Sequence, residues 1–343
     1  MSKSDEFQEL FEHYRFVADK GQKPLRIDKF LVNRIENSSR NKIQDAAGAG
    51  NILVNNSAVK TNYKVKPDDV ITIVMSFPPR EIEIIPQDIP IDIIYEDSDL
   101  LIVNKKPGMV VHPGYGNYSS TLVNAIAFHL QDLSYFKSGD IRAGLVHRID
   151  KNTSGLIVVA KTELAKNKLA LQFYEHTIER KYQTLVWGSF ENQTGTIEGN
   201  IGRSLKDRKI MTVFPQGELG KHAITHYKVL EEFGYISLIE CKLETGRTHQ
   251  IRTHLKYIKH PVFNDETYGG NQILKGTTFS KYKQFVANCF KLLPRQALHA
   301  KSLGFVHPST NKFMFFESDL PEDMTNVIQR WRKYIENRDV DLA

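Results

Sequence analysis

Hydrophobic and polar positions change rhythm along the chain, and each change marks an element. From Arg26 onward the apolar residues Ile27, Phe30, Leu31 and Ile35 recur at helical spacing. Ser38-Ser39 then offers a cap for a second helix, residues 40–47. Past Gly48 and Gly50 come the short run Ile52-Leu-Val54, a turn at Asn55-Asn56, and the strand-like Val70-Ile-Thr-Ile-Val74. Residues 25–76 therefore predict a small α+β domain. Residues 1–24 are polar and predict a tail, mobile or forming a short helix. Pro78, Pro79, Pro86 and Pro90 make 77–90 an extended linker of limited flexibility.

Residues 91–337 carry the signals of a larger domain. Strands are predicted at 91–95, 100–104, 155–160, 182–188, 223–230 and 236–243. Helices are predicted at 121–130, 163–176, 248–258 and 321–336. Strands predominate in the middle, so the fold class is α+β, with a mixed, largely antiparallel sheet flanked by helices. Two polar loops, 132–142 and 269–293, show no readable element.

Composition adds a partner class. The hydrophobic content of 41% suffices for a sizeable core in each of two domains. Between Lys23 and Lys66 nine basic residues face three acids, an excess equal to the whole chain's +6. Such a concentration points to an anionic partner. Cys241 and Cys289 are far apart and fit no thiolate metal pattern, which suits a reducing compartment. The N-terminal residues lack the apolar core of a secretion signal, and no apolar run approaches a membrane span. A cytoplasmic protein is expected, with no membrane contact and no obligate protein partner.

The candidate chemistry lies in Gly144-Leu-Val-His-Arg-Ile-Asp-Lys-Asn-Thr-Ser-Gly155. One carboxylate, Asp150, stands between His147-Arg148 and a small polar turn that feeds the apolar run 156–160. By itself such an Asp most simply caps the turn. A loop on a rigid strand is equally where catalytic groups sit. Competing chemistries fit poorly. His249 and His254 are five apart, out of phase for one metal. Residues 114–119 lack the third glycine of a dinucleotide loop. His147-Arg-Ile-Asp150 has no Gly-rich loop or Asp-Phe-Gly to support phosphoryl transfer. No metal is expected.

The motif resembles the His-Arg-(Leu/Ile)-Asp-x-x-Thr-Ser-Gly signature of pseudouridine synthases, of the RluA/RluD large-subunit ribosomal type. Asn104-Lys-Lys-Pro-Gly-Met-Val-Val-His-Pro113, Glu179-Arg-Lys-Tyr182, Thr245-Gly-Arg-Thr-His-Gln-Ile-Arg-Thr-His254 and Arg295-Gln-Ala-Leu-His-Ala300 follow in the family's order. The resemblance covers most of the chain, and residues 25–76 resemble an S4-type RNA-binding domain. Ser120, where glycine is usual, and Ile149, where Leu is commoner, are minor departures.

The resemblance implies isomerisation of uridine in RNA, most simply large-subunit ribosomal RNA. Transfer RNA and a non-catalytic RNA-binding assembly factor are the alternatives. Breaking and remaking the bond between base and sugar involves no net redox change, so no cofactor is expected. The resemblance gives Asp150 the central role, as nucleophile or base. It makes Arg252 the carboxylate's cationic partner and Tyr182 the ring that stacks on the base. Arg148 corresponds to the arginine that fills the space left by an extruded nucleotide, and His147 beside it is a further candidate for contact with the RNA substrate. Leu298 is a candidate for packing the base's other face. Arg26, Lys29, Arg40 and Lys42 are candidates for backbone phosphate contacts, and Arg203, Lys206, Arg208 and Lys209 offer further ones.

Overall fold

The computed structural model describes residues 11–35, 38–75, 84–114, 116–131, 144–207 and 209–340. The chain divides into two compact units, Met1–Glu81 and Ile82–Ala343.

In the smaller unit, α1 (Ile27–Arg34) buries the stripe Ile27, Phe30 and Leu31, with Ile35 just past its end. The expected cap is present: Lys42 N–H donates to Ser39 Oγ at 3.3 Å at the start of α2 (Arg40–Gly48). Asn55 and Asn56, at φ 50° and 65°, turn the chain between β3 (Ile52–Val54) and β4 (Ser57–Ala58). The tail prediction needs correction, because β1 (Phe11–Val17) pairs antiparallel with β6 (Val70–Met75). Its alternating Phe11, His13 and Arg15 carry too little apolar signal for a strand, and β6 supplies the ladder that makes it one. The sheet order is β1-β6-β3-β4, and β2 (Leu25–Arg26) pairs separately with β5 (Lys64–Val65).

The larger unit is built on a ten-stranded sheet. Six of its strands stand where the hydrophobic runs predict them: β7 (Ile93–Glu96), β8 (Leu100–Lys105), β9 (Ser154–Ala160), β10 (Glu179–Trp187), β13 (Lys221–Glu232) and β14 (Ile236–Leu243). Four were not predicted: β11 (Thr194–Arg203), β12 (Met211–Phe214), β15 (Leu298–Val306) and β16 (Phe313–Glu317). Three glycines interrupt β11, and β15 buries His299 and Ser302 among its apolar residues, so neither shows a clean period. The order is β12-β11-β13-β14-β10-β15-β9-β8-β7, with β16 against the far half of β15. Among the described residues only β15 and β9 run parallel. The sheet is mixed and largely antiparallel, as expected.

Helices α3 (Leu122–His129), α4 (Glu163–Tyr174), α5 (Gln250–Tyr257) and α7 (Glu322–Val340) lie within the predicted stretches or extend them. The loop expected at 269–293 contains α6 (Ser280–Leu292). Tyr282, Val286 and Cys289 form a buried stripe at helical spacing, diluted in the sequence by lysines on the other face. The loop expected at 132–142 lies outside the described residues. Part of the expected linker is fastened down: Gln87 N–H donates to the Asn124 carbonyl, and Asn124 Nδ2 to that of Ile85.

Candidate active site

The loop carrying Asp150 is positioned by backbone approach at both ends. Gly144 (φ +74°) and Gly155 (φ +115°) lie against the backbones of Ala160 and Ala300, where a Cβ would collide with the carbonyl oxygen. Within the loop, Thr153 N–H donates to the Asp150 carbonyl at 3.1 Å. Two buried basic side chains clamp the residues just past Asp150, and burial lowers the pKa of one of them, Lys105, to about 7. Lys105 Nζ donates to the carbonyls of Lys106, Met109 and Lys151 at 2.9, 2.9 and 3.0 Å. Arg295 Nη1 donates to the Asn152 carbonyl at 3.1 Å, while Nε and Nη2 grip Asp323 on α7 at 2.7 and 2.9 Å. The Thr-Ser-Gly turn is tied down through Ser154 Oγ and His299 Nδ1, 2.9 Å apart, with His299 Nε2 3.0 Å from Ser318 Oγ. Asp150 therefore projects from a loop with little freedom.

Opposite it stands α5. Gln250 locks the approach to this helix: its Oε1 accepts from Thr245 Oγ1 and Arg247 N–H, and its Nε2 donates to Ile224 O and Thr225 Oγ1 on β13. His249, at φ 55°, turns the chain into the helix. Further along the helix, Arg252 is buried, with Nη1 donating to Asp150 Oδ2 at 2.9 Å. Its other edge is fully used, Nε and Nη2 donating to Asp265 at 2.6 and 2.9 Å. Burial disfavours the charged guanidinium, yet the two carboxylates more than offset this and raise its pKa.

His249 Nε2 lies 3.8 Å from Asp150 Oδ1. Its Nδ1 is 2.9 Å from Tyr268 Oη, which itself accepts from Met211 N–H at 3.1 Å. With the phenol donating to Nδ1, the ring proton sits on Nε2, toward the carboxylate. Burial lowers the His249 pKa, opposed by the charge of Asp150.

The third wall is β10. Residues two apart share one face of a strand, so Arg180 and Tyr182 face the same side. Both are buried. Burial raises the Tyr182 pKa, so the phenol is neutral at ordinary pH.

These walls enclose a cavity of about 400 Å³, lined by Asp150, Tyr182, Arg252, Leu298, His147 and Arg148 among others. All six residues predicted for the larger domain's site therefore meet there. Arg148 is exposed, while Leu298 is buried beneath. His147 is less available for substrate than expected. Its Nε2 accepts from Val158 N–H at 3.0 Å, its ring stacks on Phe173, and burial drops its pKa to about 3. It joins the signature loop to β9 as a neutral acceptor. The sequence motifs assign no role to Asp265, Arg180, His249, Lys105 or Arg295. The last four fall inside the segments that carry the resemblance, whereas Asp265 has no local signal.

In the smaller unit Arg26 and Arg40 both bind the fully buried Asp28, at 3.0 and 2.9 Å, while Lys29 and Lys42 are exposed. Arg203, Lys206 and Lys209 are also exposed, and Arg208 lies outside the described residues. Among the described residues one cluster of three potential metal ligands, Asp97, Asp99 and His307, lies away from the cavity, with His307 Nε2 2.9 Å from Asp97 Oδ2. Asp97 is already saturated by Tyr95 Oη and the Asp99 and Leu100 N–H groups. No helix among the described residues is long and apolar enough to cross a membrane.

Comparison with known proteins points the same way. Residues 99–257 match the family model described as RNA pseudouridylate synthase, and residues 25–71 match the S4 domain. An uncharacterized RNA pseudouridine synthase of Chlorobaculum parvum is 48% identical, over 92% of this chain and 96% of its own. The ribosomal large subunit pseudouridine synthase D of Zymomonas mobilis is 40% identical, over 87% of this chain and 91% of its own. Human RNA Pseudouridylate Synthase Domain Containing 4 shares the fold, with a TM-score of 0.53 at 22% identity over 70% of this chain and 93% of its own.

Proposed function

The chain belongs to the RNA pseudouridine synthases, isomerases that act on RNA, and we propose that it converts uridines of large-subunit ribosomal RNA, with Asp150 as the reacting group. One observation carries the assignment of the residue: among the described residues, Asp150 is the only carboxylate lining the cavity. The name of the Zymomonas mobilis relative supports the choice of RNA.

In the reaction the bond between N1 and C1′ breaks, the uracil turns, and C5 bonds to C1′. The C5 proton leaves to solvent and N1 takes one up, so no electron carrier is needed. Acting as nucleophile or as base, Asp150 needs one oxygen directed at the nucleoside. Arg252 occupies Oδ2, so Oδ1, on the His249 side, is the available one. Tyr182 supplies a flat, neutral face for the detached base, worth about 1–3 kcal/mol by stacking. Leu298 packs the opposite side. Reaching this cavity requires extrusion of the uridine, at a cost of roughly a few kcal/mol. Exposed Arg148 is placed to stack in the gap it leaves. The smaller unit adds phosphate contacts through Lys29 and Lys42, with Arg26 and Arg40 beside them.

The test is tritium release from large-subunit ribosomal RNA transcribed with C5-tritiated uridine. Wild-type protein should release tritium. Asp150→Asn should lose turnover while binding RNA nearly normally, and retained turnover in that variant would overturn the role of Asp150.

A further inference from the structure

Arg180 is a buried arginine of the cavity with no counter-ion among the described residues. It is 8% exposed. Its Nε is buried without a hydrogen-bond partner, and among the described residues no carboxylate lies within ion-pair distance of the guanidinium. Its neighbours are an aromatic face and a glycine. The guanidinium carbon is 5.3 Å from the Phe173 ring centre, and a Cβ on Gly246 would come within 2.9 Å of Nη1. Phe173 and Gly246 line the cavity together with Arg180. Arg252, by contrast, is held by two carboxylates.

An unpaired buried cation is costly, and a protein retains one where a ligand supplies the counter-charge. Neutral acceptors such as the uracil carbonyls would satisfy N–H groups but leave the charge unbalanced. The RNA backbone brings one anion per nucleotide, and a guanidinium fork matches a phosphate's two oxygens. Arg180 shares a strand face with Tyr182, two residues away, which is about the distance from a stacked base to its own backbone.

We infer that Arg180 is a phosphate-binding residue of the cavity: its guanidinium receives a phosphodiester flanking the extruded uridine and holds the nucleotide while the detached base turns beside Tyr182. Gly246 is the clearance that this guanidinium needs. The inference rests on the cavity being the uridine site.

The experiment is a cycle between protein and RNA under single-turnover conditions, using an RNA on which wild-type tritium release has been established. Each phosphodiester flanking the target uridine is replaced in turn by an uncharged methylphosphonate. At one position the replacement should slow wild type about 100-fold, the size expected when one member of a buried charge pair is lost. Arg180→Gln should be slowed similarly on unmodified RNA, with little further loss from the same methylphosphonate, and Arg180→Lys should recover part of the rate. Losses that multiply at every position would overturn the contact. Thermal unfolding separates a structural role. Without RNA, Arg180→Met should unfold no lower than wild type, because it removes an uncompensated charge. A large drop would mean that the guanidinium serves the fold, and the inference fails. Should wild type release no tritium from any RNA, the uridine site itself fails and this inference with it. Tritium release without coupling sinks this inference alone.

Discussion

The two units hold their key ion groups in opposite stoichiometry. In the smaller, one buried carboxylate, Asp28, lies between two arginines whose side chains are 41% and 50% exposed. In the larger, one arginine, 6% exposed, lies between two carboxylates, Asp150 and Asp265. The first arrangement ties α2 to the start of α1 and leaves a positive excess facing water. That suits contact with phosphates and is easily screened by salt. The second leaves the three-residue group one charge negative, with Asp265 holding the arginine and Asp150 presented to the cavity. On the proposed reading the same residue types serve attraction in one place and reaction in the other, and burial and number decide which.

This contrast is most exposed to attack at Asp265. Asp265→Asn should deprive Arg252 of its bidentate charged partner and cost about 3–5 kcal/mol of stability, because two hydrogen bonds to a buried charge are weakened and only Asp150 remains as counter-ion. It should also slow tritium release far more than it weakens RNA binding, since Arg252 then swings toward Asp150. Urea unfolding and single-turnover kinetics read the two effects.

The corresponding change in the smaller unit should be milder. Burial raises the Asp28 pKa, but hydrogen bonds from Arg26, Arg40 and Lys29 N–H outweigh it, and the net shift is downward. Asp28 therefore contributes stability above its unfolded pKa, and this is lost as pH falls through its folded pKa. Asp28→Asn should cost about 1–3 kcal/mol and weaken RNA binding, leaving the rate on saturating RNA unchanged. An altered chemical step would mean that the small unit does more than bind.

A third prediction concerns acid. Burial lowers the pKa values of His254 and His299 to about 4. Between pH about 6.5 and about 4 the unfolded chain takes up protons that the folded chain refuses, so stability falls as pH falls. Each group contributes a slope of up to about 1.4 kcal/mol per pH unit. Denaturant unfolding at pH 7 and pH 5 should show this loss, reduced in His299→Gln. Since His299 ties the Asp150 loop to β15 and Ser318, the same acidification should loosen the active site.

The smallest effect is expected from the exposed lysines. Lys29→Ala with Lys42→Ala should lower the salt slope of RNA affinity by about 0.7–0.9 per contact, with the rate constant at saturation unchanged. An unchanged slope would exclude these two side chains from the interface.

Much of this was legible before folding because it is local. The buried stripe of α1, the Ser39 cap, the Asn55-Asn56 turn and the apolar β9 follow from short-range periodicity and turn chemistry. The signature around Asp150 was recognisable for the same reason: its glycines, cation and turn residues must be adjacent to form the loop. Arg252 and Tyr182 were found through resemblance and order, not through spacing. β1, β11, β15 and α6 were lost where polar, glycine or charged residues diluted the period and a neighbouring strand or helix supplied the missing stabilisation. The pairing of charges, in contrast, belongs to the assembled fold alone. Asp150 and Arg252 are 102 residues apart, and no local pattern says that Asp265 completes the group or that Arg180 has no counter-ion among the described residues. Periodicity records which side of an element is buried, whereas the partner of a buried charge is fixed by distances between elements, and those exist only once the sheet is assembled.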